Sequence, residues 1–247
     1  MTTLMENQPA WLLHSRPFRE TSLLLDFFIQ DHGRVSAIAR GARDPKSRYR
    51  PLLQLFIPLQ ISLVGRSELL NLRSIEASGP ALRLCGPHMF SALYVNELMV
   101  RLLAGHESDK TLYGHYEAVL HALSSGLDIE PVLRRFELQL LENLGYGLQL
   151  THDALNGELM LHDAWYYLQT DSGFVRQMQV QEVDSANSIA NLYPGQVLLD
   201  MSRADFTKAN TLKIAKRLLR LVLEHHLGDR PLASRELFKS LLQTTST

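Results

Sequence analysis

Residues 22–39 read SLLLDFFIQDHGRVSAIA, two apolar stretches at 22–28 and 34–39 parted by Asp31-His32-Gly33. Each stretch is short and rich in Leu, Ile, Val, Phe or Ala, and the break between them is turn chemistry, which predicts strand, reversal and strand. The same grammar extends in both directions. Upstream, 10–14 precedes a break at Arg16-Pro17; downstream, 55–64 and 69–75 are parted by Gly65-Arg66-Ser67, and a long polar break runs from Gly41 to Pro51. Five strand-sized runs in about eighty residues predict a five-stranded OB-type β-barrel, a sheet closed to hide its edges that turns one face and its loops toward oligonucleotides.

After Gly79-Pro80 the apolar period changes to that of a helix. Phe90, Leu93, Tyr94 and Leu98 recur at three and four beside a Glu97–Arg101 pair, and Pro87 suits a first turn. A second helix is predicted over 111–123, with Leu112, Tyr116, Val119, Leu120 and Leu123 inward. A third opens at Pro131 and closes at Gly145, burying Leu133, Phe136, Leu140, Leu141 and Leu144. Residues 158–180 are ambiguous, and the run 165–168, the turn 170–173 and Phe174-Val175 predict a small β-hairpin. A long helix is expected from an Asn210 cap to Gly228, followed by a frayed Thr- and Ser-rich end. The fold class expected is therefore α+β: a barrel domain over 1–79, then a mostly α-helical domain over 80–247 with a hairpin insertion.

The chain has 247 residues, 45% of them hydrophobic, enough for two cores. Its start, MTTLMENQPAWLLHSR, shows no cationic leader before an apolar stretch, and no run approaches the roughly 20 apolar residues of a membrane span. A soluble, untargeted, cytoplasmic protein without a membrane partner is expected. One cysteine, Cys85, leaves no internal disulfide and no multi-cysteine zinc site, and is expected to be a small buried residue.

The formal charge is only -1, yet it is unevenly spread. Residues 34–50, RVSAIARGARDPKSRYR, hold six Arg or Lys against one Asp. Residues 151–200 hold seven acids against Arg176, and 213–239 hold seven Lys or Arg against three acids. A basic cluster inside a near-neutral chain focuses potential on one surface and points to a phosphate polymer. Arg34, Arg40, Arg43, Lys46, Arg48 and Arg50 are the expected phosphate contacts, with Tyr49 stacking on a base; the alternative is an idle solvated loop. In the last long helix Lys213, Lys216, Arg217 and Arg220 form one stripe beside an apolar one of Ala215, Leu218, Leu219 and Val222. Lys216, Arg220, Arg235 and Lys239 extend the DNA-binding set.

GARDPKS at 41–47 fails as a nucleotide-binding loop because Pro45 stands where the glycine before the lysine must be. His152-Asp153, His162-Asp163 and His225-His226 are adjacent pairs that point apart, so no metal site is expected. No GxSxG elbow or HExxH helix is present, and no catalytic residue or cofactor is expected. LRRFELQLLENLGYG at 133–147 puts Arg134 and Arg135 at the opening of an apolar helix. They are either surface arginines tied to Glu130 or Glu137, or an arginine beside an apolar groove suited to a peptide with a terminal carboxylate.

The pieces LLHSRPFRETSLLLDFF, GRVSAIARGAR, LYVNELMVRLL, LRRFELQLLENLGYG and PLASRELFKSLL, spread over 11–242, together make the chain resemble the RecO family of bacterial DNA repair and recombination mediators. The resemblance implies an OB domain before a mostly helical one. It also implies binding to single- and double-stranded DNA, annealing of complementary strands, and partnership with RecR and single-stranded DNA-binding protein (SSB). Some relatives hold zinc with four cysteines; the chain lacks them and resembles the metal-free branch. The resemblance places the contact with the acidic, Phe-ending SSB tail in the helical domain, at Arg134, with Lys213, Lys216 and Arg217 as neighbours proposed from helix spacing. A protein monomeric on its own is expected. Two other classes stay open at this point: an interaction scaffold whose DNA contact a partner supplies, and a metal-dependent nuclease drawing on the acidic middle.

Overall fold

The computed structural model describes residues 3–103, 105, 109–169, 172–177 and 191–237. Its residues group into two units, one of Met1–Ile129 with Leu227–Thr247, the other of Glu130–His226.

The first unit is built on five strands: β1 (Thr3–Phe18), β2 (Ser22–Ile29), β3 (Gly33–Ala39), β4 (Leu59–Gly65) and β5 (Leu70–Ala77). β1 is 16 residues long, far beyond the expected 10–14, and serves two partners. Its first half pairs antiparallel with β4 and its second half with β2, with register shifts between Met5 and Gln8 and between Leu12 and His14. Such bulges bend a strand so that one chain can run along two neighbours. Pro9 and Pro17 inside the strand hide its length from a reading by composition.

The strand order is β1-β2-β3-β5-β4, with β1 returning to β4. The expected five-stranded OB-type β-barrel is corrected here at its seam. The seam between β3 and β5 is parallel and rests on only two residue pairs, Ala37↔Leu70 and Ile38↔Asn71, whereas β2 and β3 pair along their whole length. β4 also begins at Leu59 rather than at 55: Phe56 takes a left-handed φ of 64° and its carbonyl accepts from Leu82, which removes 55–58 from the ladder. Alternate residues Val35, Ala37 and Ala39 join Leu12, Leu25, Phe27, Leu59, Ile61 and Leu63 in an apolar core.

Two helices follow in the same unit, α1 (Gly86–Leu102) and α2 (Lys110–Ser124). Asp109 caps α2 by accepting from the Thr111 and Leu112 amides, satisfying donors that a helix start leaves open. Trp11 and Phe28 leave the sheet on its other face and meet Tyr116 edge-on, with centroids 6.1 and 5.6 Å away. Asn96 of α1 donates to the Leu13 carbonyl and accepts from the Tyr116 hydroxyl, a buried network that locks sheet to helices. Cys85 precedes α1 and is exposed, against the expectation of burial, because it caps a helix end outside the core.

The second unit holds α3 (Ile129–Asn143), β6 (Trp165–Gln169), β7 (Gly173–Arg176), β8 (Leu192–Pro194), α4 (Gly195–Ser202) and α5 (Ala209–Leu227). The end of α3 follows its expected signal: Gly145 has φ 79° and Tyr146 donates to the Leu141 carbonyl. The expected hairpin is instead part of a three-stranded sheet, order β7-β6-β8, because β8 adds Leu192, Tyr193 and Pro194 to the free edge of β6. Three residues of strand are too few to leave a periodic signal. The expected turn residues Thr170 and Asp171 lie outside the described residues, as do Glu182 and Asp184 of the acidic middle. α4 and α5 are joined through Asp200, a buried carboxylate that accepts from Gln196, Lys208 and Thr211. α5 buries Thr211, Ala215, Leu218, Leu219 and Leu223.

Candidate nucleic-acid interface

The loop after β3 is a run of tight turns. Gly41 turns the chain with φ 67°, Asp44 donates to the Gly41 carbonyl, and the Asp44 carboxylate accepts from the Lys46 amide. Apolar residues inside the loop pin it: Ala42 is buried, and Tyr49, Leu52 and Leu53 pack against the sheet core. Arg40, Arg43, Lys46, Arg48 and Arg50 are thereby left on the surface. Tyr49 is half-buried rather than free-standing, with the Arg48 guanidinium 5.2 Å from its ring centroid and donating to its hydroxyl. The loop is a cationic ridge pinned to the sheet core by these apolar side chains, and a loop already held in place costs less to order when it grips a polyanion.

Arg34 is placed elsewhere. Its side chain is only 26% exposed, and its guanidinium donates to the Val100 and Leu103 carbonyls and to Asp26. A cation against the last carbonyls of α1 answers the helix dipole and its open acceptors, so Arg34 holds structure. The strand period points it away from the core of Val35, Ala37 and Ala39.

Arg16 and Arg19 were not singled out by the sequence reading, because the β1–β2 turn lies more than twenty residues before the loop. Both are exposed, and Arg19 sits 5.2 Å over the Phe18 ring. The Arg43 side chain donates to the Arg19 and Glu20 carbonyls at 3.2 and 2.9 Å, which brings turn and loop together. An arginine in a break beside Pro17 was the available signal.

In the second unit the stripe of α5 forms as the spacing predicts, with Lys213, Lys216, Arg217 and Arg220 all exposed. Its charges are largely answered. Lys216 pairs with Glu130, Arg220 with Glu224 one turn on, and Arg217 donates to the Leu192 carbonyl while lying 5.1 Å over the Tyr193 ring. Arg134 is 6% exposed at its side chain and donates to Glu137 at 2.6 Å, with Glu130 at 3.8 Å. Arg134 is thus tied to Glu130 and Glu137 as the first alternative expects, but it is buried rather than on the surface, while Arg135 is exposed. Glu130 bridges Arg134 and Lys216, which brings together two residues far apart in sequence. The Arg134 Nε is buried with no hydrogen-bond partner among the described residues. Arg235 lies 5.6 Å over the Tyr94 ring, and Lys239 lies outside the described residues.

The segment carrying Arg235 is held by α1. Glu97 accepts from the Ala233 and Ser234 amides and from the Ser234 hydroxyl, and Arg101 donates to the Leu227, Arg230 and Pro231 carbonyls. Burial pushes the Glu97 carboxyl up, but the Ser234 and Ala233 hydrogen bonds and the Arg101 charge outweigh it and hold the group below its ordinary value. Among the described residues no group of three His, Cys, Asp or Glu is arranged to hold a metal ion, and no helix is long and apolar enough to cross a membrane.

Known proteins resemble this chain along nearly its whole length. Residues 1–81 match the family described as Recombination protein O N terminal, and 87–236 the one described as Recombination protein O C terminal. A DNA repair protein RecO of Methylococcus capsulatus is 43% identical over 231 residues, covering 94% of this chain and 92% of the relative. One from Pseudomonas putida is 44% identical over 232 residues, covering 94% and 96%. A third, from Proteus mirabilis, is 41% identical over 233 residues, covering 94% and 92%. The chain belongs to the RecO family of DNA repair proteins.

Proposed function

We propose that the chain is a non-catalytic mediator of DNA repair and recombination that binds single- and double-stranded DNA, anneals complementary strands and, with RecR, helps load a recombinase on SSB-coated DNA. The observation that carries the reading is the pinned ridge of Arg40, Arg43, Lys46, Arg48 and Arg50 with Tyr49, whose charges have no carboxylate partner among the described residues. Annealing requires the repulsion between two phosphate backbones to fall while base edges stay open. Cations that grip phosphate alone do this without reading sequence. Lys216, Arg220, Arg235 and Lys239 extend the contact beyond the ridge.

The SSB tail binds beside Arg134, with Lys213, Lys216 and Arg217 around it. Support comes from the Glu130 bridge between Arg134 and Lys216 and from the Arg134 Nε, a donor suited to a carboxylate that has no hydrogen-bond partner among the described residues. The working domains are 1–79 for DNA and 80–247 for partners and DNA, a division supported by the family matches at 1–81 and 87–236. The protein acts as a monomer in the cytoplasm, at the nucleoid.

Strand annealing by the purified protein, with and without SSB, tests the reading. Annealing in both conditions is expected, with affinity falling steeply in salt. Failure to shift labelled single-stranded DNA even at low salt would leave a scaffold, and magnesium-dependent degradation of that DNA would make the protein a nuclease.

A further inference from the structure

The β1–β2 turn and the loop after β3 are separate in sequence, yet a single residue joins them. The Arg43 Nη1 donates to the carbonyls of Arg19 and Glu20 at 3.2 and 2.9 Å, and the Arg43 amide donates to the Thr21 carbonyl at 2.9 Å. Three consecutive carbonyls of the turn are thus read by one arginine. Between them Arg19 holds φ 53°, a left-handed conformation that a residue with a Cβ adopts only when its surroundings enforce it.

The consequence is electrostatic. Clamping the turn to the loop gathers Arg16, Arg19, Arg40, Arg43, Lys46, Arg48 and Arg50, all exposed, against only Glu20 and Asp44 in the same two segments. None of the seven takes part in an ion pair among the described residues, although exposed carboxylates elsewhere do. Seven cations in two joined segments that hold only two carboxylates leave a net repulsion, and binding a polyanion relieves it.

We infer that Arg43 is a positioning residue that fuses turn and loop into one phosphate track, and that Arg16 and Arg19 are contacts of that track for a single-stranded DNA backbone. The inference rests on the reading of the loop as a DNA site and adds to it a second segment and a division of labour. Arg43 acts mainly through the turn it holds; Arg16 and Arg19 meet phosphate.

The test is the salt dependence of binding of a labelled oligothymidylate to the full chain, followed by anisotropy. A loop variant combining Arg40→Ala, Lys46→Ala, Arg48→Ala and Arg50→Ala serves as the reference. With about 0.7 in log–log slope per single-strand phosphate contact, Arg16→Ala with Arg19→Ala is expected to flatten the slope by about 1.4. Arg43→Ala is expected to flatten it by about 2, more than one contact, and Arg19→Ala added to Arg43→Ala is expected to change little further. Additive effects of Arg43→Ala and Arg19→Ala, each about 0.7, would make Arg43 an independent contact and overturn its positioning role. A wild-type slope in the Arg16/Arg19 double variant overturns the extended track, and this arm decides alone if Arg43→Ala does not fold. A loop variant that binds like wild type sinks the underlying reading instead, whereas loss in the loop variant with none in the Arg16/Arg19 variant sinks only this inference.

Discussion

Two cationic regions of this chain carry similar residues in opposite states. In the loop after β3, guanidinium and ammonium groups stand on a pinned ridge and form no ion pair among the described residues. On α5 most of the stripe is already answered: Lys216 by Glu130, Arg220 by Glu224, Arg217 by a carbonyl and the Tyr193 ring. An unanswered cation gains its full interaction when phosphate arrives, while a paired one must first give up a partner. Counting lysines and arginines treats the two regions alike; the local acids separate them. The ridge is suited to a long uniform polyanion, and the α3–α5 region to a ligand that competes with Glu130, such as a peptide carboxylate.

The sharpest way to break this contrast lies at its most buried point. Arg134→Ala removes the guanidinium that pairs with the buried Glu137 carboxylate, and breaking such a pair costs about 3–5 kcal/mol. Urea unfolding should show that loss, and replacing both partners with methionine should recover most of it. If Arg134→Ala unfolds at wild-type urea concentrations while SSB capture disappears, Arg134 is a ligand contact with no structural share.

Next in size is the contrast itself. Removing the four loop cations Arg40, Lys46, Arg48 and Arg50 should flatten the salt dependence of single-strand binding by roughly 2.8, four contacts at about 0.7 each. Removing Lys213, Lys216, Arg217 and Arg220 should flatten it by less than half as much, since three of the four are engaged. Equal losses would show that the internal partners of α5 release their cations at no cost.

The smallest effect concerns the clasp of α1 on residues 227–234. Because the Glu97 carboxyl is held below its ordinary value, its contribution is complete above the ordinary carboxylate range and disappears as pH falls through the lowered value. Hydrogen exchange at the Ala233 and Ser234 amides should therefore accelerate only in acid. Glu97→Gln should loosen them at neutral pH by on the order of 2 kcal/mol, the scale of hydrogen bonds to a charged group. Exchange indifferent to both would remove the clasp as the anchor of Arg235.

Much of the scaffold could be read before any coordinates. The runs at 22–28 and 34–39 became β2 and β3, and the helices closing at Gly145 and Gly228 ended where glycine accepts a positive φ. What escaped has common causes. β1 is more than three times as long as its apolar signal because bulges let a strand with prolines run along two neighbours, and β8 is three residues recruited to an open edge. At the site, exposure of the loop cations followed from their turn-rich setting, but the structural duty of Arg34 did not, since the α1 carbonyls it serves lie more than sixty residues on. Arg19 was equally invisible as a neighbour of Arg43.

The order of residues alone determined the family, the succession of strands and then helices, and the surplus of positive charge in two stretches, because periodicity, turn chemistry and charge are local properties. Only the tertiary structure decided which of those charges remain available. Hydrogen bonds and ion pairs act over a few ångströms regardless of sequence separation, so Glu130 reaches Lys216, Arg43 reaches the turn at Arg19, and Arg34 reaches the end of α1 only once the chain has folded.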